Sequence, residues 1–167
     1  GTVALETVQQ AAAMGAPLDA MIACCSGGGL AAGTALVIRA LLPNAEVLAA
    51  EPAGFDDTAR SLAAGHRVAN EPGLTSICDS VLAPMPGELT FEVNRRNLSG
   101  AVAVTDDEVI EAMRTAFRDL GLVAEPGGSV ALASVLTGRF PLNGRTVAVT
   151  LSGSNVDLAS ALQWMAG

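Results

Sequence analysis

The sequence predicts a single α/β domain over residues 1–167, built on a doubly wound, mostly parallel sheet. Three observations carry that expectation. The stretches Ala20–Cys25, Glu46–Ala50 and Thr146–Leu151 are short and near-continuously apolar, the pattern of strands buried on both faces. Between them lie longer segments with apolar residues at helical spacing, so strands and helices alternate as in βαβ units. Half of the residues are hydrophobic, yet aromatics reach only 3% and Tyr is absent, so small side chains let helices lie close on a sheet.

Taken in order, Thr2–Met14 is predicted to be a helix, with Thr2 as its cap and Leu5, Val8 and Ala12 on one face. Gly15-Ala16-Pro17 stops it. The strand Ala20–Cys25 runs straight into Ser26-Gly27-Gly28-Gly29-Leu30, followed by a helix over Ala31–Leu42 that ends at Pro43-Asn44. A second strand, Glu46–Ala50, closes on Glu51-Pro52, and a helix over Phe55–Ala64 stops at Gly65. Residues 68–90 read as loop, with Pro72, Pro84 and Pro86, broken by a short strand over Ser80–Leu82. A helix over Glu88–Leu98 and a strand over Ala101–Val104 follow. Thr105 and Glu108 form a capping-box pattern that opens a helix to Leu120, ended by Gly121. Glu125-Pro126-Gly127-Gly128 leads into a helix over Ser129–Thr137; the strand Thr146–Leu151, the turn Ser152–Asn155 and a helix from Asp157 complete the chain.

The net charge of −8 and the absence of any basic cluster exclude a nucleic-acid surface or an anionic membrane as partner. No apolar run reaches the roughly 18 residues a membrane helix needs, and no signal-peptide pattern opens the sequence. Cys24, Cys25 and Cys78 have neither disulfide nor zinc spacing and read as reduced core thiols, which points to the cytoplasm. His66, the single histidine, sits in a polar Gly-His-Arg turn and reads as a solvated loop residue. All nine basic residues are arginine, so the sequence has no lysine.

In a parallel sheet, ligands bind beyond the carboxyl ends of the strands, which directs attention to the turns at 26–29 and 152–155. Three glycines between a strand and a helix let several backbone N–H groups converge, and the helix N-terminus adds positive potential. That is a cradle for a phosphate or carboxylate, set against the plainer reading of a tight turn. No Gly-Lys-Ser/Thr follows, so it is not a P-loop. Nor is it Gly-x-Gly-x-x-Gly, although Glu51 after the next strand leaves a dinucleotide reading open.

Four motifs in order narrow the field: Ser26-Gly27-Gly28-Gly29-Leu30, Glu51-Pro52-Ala53-Gly54-Phe55-Asp56-Asp57, Glu125-Pro126-Gly127-Gly128, and Leu151-Ser152-Gly153-Ser154-Asn155-Val156-Asp157. Together they resemble the fold-type II pyridoxal-phosphate enzymes of the threonine dehydratase and serine racemase family, across essentially the whole chain. The family's usual last motif is Ser-Gly-Gly-Asn; Ser154 replaces the second glycine here. The resemblance implies that Ser26, Gly27, Gly28, Gly29 and Leu30 hold the cofactor phosphate. It places Ser152 at the pyridine nitrogen, against a plainer role as a helix cap, and Glu125 near the cofactor ring, against capping before Pro126. It further implies a site for Mg²⁺ or Mn²⁺ on Glu51, the carbonyl of Phe55 and Asp57, a set whose hard oxygens suit such ions or Ca²⁺. The alternative for Glu51 and Asp57 is a strand-end acid and a helix-cap residue.

The family holds pyridoxal phosphate on a lysine in a segment absent from this sequence, and its small domain is absent too. The resemblance therefore implies the C-terminal portion of a threonine/serine dehydratase, inactive alone. Such a portion is a fragment of a longer enzyme, one piece of a two-chain assembly, or a truncated reading frame. Its expected partners are an amino-acid substrate in the intact enzyme and either the missing N-terminal segment or another copy. A serine or hydroxyaspartate racemase is the close alternative. A non-catalytic module for a phosphorylated ligand and a nucleotide-binding domain are the more distant ones.

Overall fold

The computed structural model describes residues 1–166. Its helices are α1 (Thr2–Ala13), α2 (Gly29–Leu41), α3 (Asp57–Ala64), α4 (Glu88–Asn97), α5 (Asp106–Leu120), α6 (Pro126–Leu136) and α7 (Leu158–Ala166). Its strands are β1 (Ala20–Cys24), β2 (Glu46–Pro52), β3 (Gly100–Val104) and β4 (Val147–Val149). The strands pair in the order β3-β2-β1-β4, and every pairing is parallel. Ile22 of β1 stands between Leu48 of β2 and Val149 of β4, which fixes the register of the three.

Alternation along β1 and β2 divides the core into two layers, as a sheet covered on both sides requires. Ala20, Ile22, Cys24, Leu48 and Ala50 pack on Val109, Ala112 and Met113 of α5 and Val130, Ala131 and Ala133 of α6, with Trp164 and Met165 of α7 at the margin. Met21 and Val47 point the other way, onto Ala4 of α1 and Ala35 and Ile38 of α2. The chain steps outward from β1 to β2 to β3, then returns to place β4 on the other side of β1. That reversal leaves a crevice at the carboxyl ends of β1 and β4, the switch point of a doubly wound sheet.

Most predicted elements are present, with informative shifts. The predicted strand over Ser80–Leu82 is instead a single 3₁₀ turn, Asp79–Val81, in which the Val81 amide donates to the Cys78 carbonyl at 2.9 Å. The segment packs on α6 and pairs with none of the four described strands. The helix predicted from Phe55 begins at Asp57, since the Phe55 amide is used in a turn onto the Pro52 carbonyl at 2.9 Å. The helix predicted from Ser129 begins at Pro126, a residue whose missing N–H costs nothing in a first turn. Thr2 does not cap α1: it lies inside the first turn, and Ala4 rather than the exposed Leu5 turns to the core. The capping box of α5 is formed as predicted, with the Glu108 amide donating to Thr105 Oγ1 at 3.3 Å and the Thr105 amide to Glu108 Oε2 at 2.7 Å. All three cysteines are buried free thiols. No described helix is long and apolar enough to cross a membrane.

Candidate functional site

A pocket of about 260 Å³ opens at the switch point. Ser26, Gly28, Gly29 and Leu30 form one wall, Glu125, Gly127 and Gly128 another, and Ser152 closes it from the loop after β4. The glycine loop, Glu125 and Ser152, far apart in sequence, thus meet at one point.

The glycine loop is built by the abrupt change from β1 to α2. Gly28 is the cap of α2 at φ 91°, a left-handed conformation that L side chains rarely adopt. The first N–H groups of α2 have no partner within the helix and point, with its dipole, toward the crevice. A Cβ placed on Gly27 or Gly29 would meet nothing within 4 Å, and of the two Gly29 lines the pocket, so the loop is open there. No lysine or arginine lines the pocket; the attraction for an anion comes from backbone dipoles.

Helix α4 holds the loop from behind, a function that sequence reasoning missed. Thr90 Oγ1 donates to the Gly27 carbonyl, the Gly87 amide donates to the same oxygen at 3.1 Å, and Asn94 Nδ2 donates to the Gly28 carbonyl at 3.3 Å. The available signal was Thr90 and Asn94 spaced four apart beside Phe91, a polar pair on the buried face of an otherwise charged helix. Gly28→Ala is expected to lose about 2 kcal/mol, from the left-handed backbone and from a Cβ 2.8 Å from Asn94 Nδ2. Urea denaturation beside Gly27→Ala, whose Cβ meets open space, checks this; equal losses would count against it.

On the opposite wall, the Gly128 carbonyl accepts from the Ser152 amide at 3.2 Å and from the Cys24 thiol at 3.4 Å. Glu125 accepts from the Asn155 amide at 2.9 Å, and its own amide donates to the Gly153 carbonyl at 3.1 Å. Glu125 thereby fixes the loop after β4 rather than the helix before which it stands. Ser152 is exposed, and capping of α7 falls to Asp157, whose carboxylate accepts from the Ser160 amide at 2.9 Å. The cap reading for Ser152 is therefore set aside.

The acidic turn lies next to this pocket but outside it. Glu51, fully buried, accepts from the amides of Thr58 at 2.9 Å and Ala59 at 3.1 Å, at the start of α3. Burial pushes its carboxyl up to about 7 against the pull of those amides, and Asp57 adds to the rise. Asp57 is also buried and also raised, chiefly by desolvation; its Oδ1 accepts from Asn70 Nδ2 at 2.7 Å while Oδ2 has no partner. Phe55 lies in the same turn, between the two carboxylates in sequence. Among the described residues, no group of three or more His, Cys, Asp or Glu side chains gathers. Cys25 stands between the two regions, lining the pocket with its thiol 3.5 Å from Thr58 Oγ1, and burial pushes that thiol up to about 12. His66 is exposed, as its turn predicted.

Comparison with known proteins places this geometry. Residues 1–153 match the family model described as "Pyridoxal-phosphate dependent enzyme". The chain is 38% identical to serine racemase of Dictyostelium discoideum over 163 residues, covering 96% of this chain and 49% of that protein. It is 36% identical to beta-hydroxyaspartate dehydratase of Paracoccus denitrificans, covering 98% of this chain and 50% of that protein. Among solved structures, a threonine deaminase from T.th. superposes with a TM-score of 0.89 at 38% identity, over 94% of this chain and 56% of that one. The chain thus spans about half the length of the curated relatives it matches.

Proposed function

This chain belongs to the fold-type II pyridoxal-phosphate dependent enzymes, and from that premise we propose that it forms the cofactor-cradling part of an enzyme acting on a hydroxyamino acid. The observation that carries the proposal is the glycine loop at the switch point: α2 aims its free N–H groups at the pocket, and at Gly29, which lines it, a Cβ would meet nothing within 4 Å. Ser26, Gly27, Gly28, Gly29 and Leu30 take the phosphate of pyridoxal phosphate, Ser152 takes the ring nitrogen, and Glu125 holds the loop that carries Ser152. When bound, the cofactor supplies an electron sink for chemistry at an amino-acid α-carbon. A neutral hydroxyl at the ring nitrogen tempers that sink, which favours loss of water from a hydroxyamino acid over transamination.

The reaction proposed for the intact enzyme is β-elimination from threonine or serine, giving a 2-oxo acid and ammonia. Racemisation of serine or hydroxyaspartate is the second reading, favoured by the similarity to serine racemase. The chain itself has no lysine, so it binds the cofactor without a covalent link and needs a lysine-bearing segment, on the same or another chain, for turnover. A second copy of the chain is the other proposed partner, and the cytoplasm the proposed location.

Glu51, the Phe55 carbonyl and Asp57 are proposed to hold Mg²⁺ or Mn²⁺. The unpartnered, buried Asp57 Oδ2 fits a cation, since a carboxylate oxygen withdrawn from water and left without a donor is otherwise costly.

The test begins with equilibrium binding of pyridoxal phosphate to this chain. Saturable binding is expected, displaced by inorganic phosphate and not by NAD, and borohydride should leave no label on the protein. Displacement by NAD would favour the nucleotide-binding reading. Addition of a separately produced lysine-bearing segment should then release ammonia from L-threonine or L-serine. Production of D-serine without ammonia would instead select the racemase, and binding with neither activity would leave a non-catalytic phosphate-ligand module.

A further inference from the structure

The segment Ala83–Gly87 runs as a strap between the glycine loop and the turn after α3. On its inner side it touches the glycine loop twice: the Ala83 amide donates to Ser26 Oγ at 3.1 Å, and the Gly87 amide donates to the Gly27 carbonyl at 3.1 Å. On its outer side it is gripped by the turn after α3. Asn70 Nδ2 donates to the Ala83 carbonyl at 2.8 Å, and the Asn70 amide to the Pro84 carbonyl at 2.8 Å. Arg67 Nε donates to the Pro86 carbonyl at 2.8 Å, and its Nη2 lies 3.0 Å from Met85 Sδ. With prolines at 84 and 86 and no regular structure, Ala83–Pro86 is held by these clasps, while Gly87 is fixed as the cap of α4.

Asn70 is unusually constrained for a loop residue. Both hydrogens of its side-chain amide are used, one on the Ala83 carbonyl and one on Asp57 Oδ1, while its oxygen accepts from Arg60 Nη2. Exchanging the amide's oxygen and nitrogen would set oxygen against a carboxylate and a carbonyl, so only one orientation is compatible. Arg60 is itself held by Asp56 at 3.0 Å and by the Ala69 carbonyl at 2.9 Å. The result is a continuous set of bonds from Asp57 through Asn70 and Ala83 to Ser26.

We infer that Asn70, with Arg67, is a positioning residue for the phosphate cradle: it touches no ligand but holds the strap that sets Ser26. This rests on the phosphate-binding reading of the glycine loop given above. Without the clasp, Ala83 loses its fixed approach to Ser26 while α4 still holds Gly87, so the first residue of the loop is no longer set before the anion arrives. The geometric tolerance of such preorganised sites is small, so a remote loss of this kind weakens binding directly.

The probe is inorganic phosphate, titrated calorimetrically into this chain and into Asn70→Ala, Arg67→Ala and Arg145→Ala. Arg145 serves as the control because it binds Glu46 at 3.1 Å and the Pro141 carbonyl at 2.8 Å, at the opposite end of the sheet. Asn70→Ala and Arg67→Ala are expected to weaken phosphate binding about tenfold, whereas Arg145→Ala lowers the melting temperature yet binds within about twofold of the unsubstituted chain. Clasp variants that bind phosphate as tightly as the unsubstituted chain, or an Arg145→Ala that weakens it equally, would overturn the inference. Should Asn70→Ala fail to fold, Arg67→Ala decides alone. If the unsubstituted chain binds no phosphate, the cradle reading itself fails, which is distinct from a clasp without effect on a cradle that binds.

Discussion

Gly128→Ala is expected to lose about 3 kcal/mol or more of folding stability, since overpacking against rigid backbone exceeds the usual cost of an added methyl. A Cβ at this position would sit 2.6 Å from the Ser152 carbonyl carbon and closer still to its oxygen. Both partners are main chain, so no rotamer change relieves the clash. Either α6 withdraws from the loop after β4 or that loop moves outward, and in both cases the Ser152 amide and the Cys24 thiol lose the Gly128 carbonyl as acceptor. Val130 and Ala131, two and three residues further along α6, belong to the main core, so displacement at its first turn spreads inward. For a chain of this size the midpoint should fall by roughly 6–12 °C. Gly127→Ala supplies the comparison, because its Cβ would meet chiefly the Ser80 side chain, which can rotate away. Thermal and urea unfolding of the pair should separate them clearly. If both melted alike, backbone contact at Gly128 would not be the cause.

The same residue explains why the fold was more legible in the sequence than the site. Buried strands such as Ala20–Cys24 declare themselves because burial on both faces forces a continuous apolar run. The capping box at Thr105 and Glu108 is local chemistry and equally readable. Gly127 and Gly128 could be quoted as a motif, but the need for a bare Cα opposite Ser152 arises only when α6 and the end of β4 meet in space. Thr90 and Asn94 were missed for a related reason. Their hydrogen-bond partners are backbone carbonyls of the glycine loop, and backbone acceptors leave no trace in residue identity. The strand expected at Ser80–Leu82 shows the opposite error: the segment forms a 3₁₀ turn packed on α6 and joins no strand of the sheet. Local pattern therefore fixed element type, while long-range backbone contact decided how the cradle is held.

Glu51 sets a second large effect, in the dependence of stability on pH. Its carboxyl is raised in the folded state to about 7 from an ordinary value of 4.5, first by burial. The folded protein therefore binds a proton more tightly than the unfolded chain, and stability must decline as pH rises between those values. The contribution is fully present below about pH 4.5 and is lost as pH passes through 7, a change on the order of 3 kcal/mol. Asp57, also raised by burial, acts in the same direction. Glu51→Gln removes this titration and keeps an oxygen able to accept from the Thr58 or Ala59 amide. Urea denaturation at pH 5, 6, 7 and 8 should show the unsubstituted chain losing stability across the range and the variant following a flatter line. At pH 8 the variant should be at least as stable, because it buries no charge beside Asp57. Mg²⁺ or Mn²⁺ should restore the unsubstituted chain at pH 8 by favouring the ionised pair, and should leave Glu51→Gln almost unchanged. Parallel pH profiles for the two proteins would refute the raised carboxyl. A pH-dependent difference without any cation effect would retain the buried acid and discard the metal site.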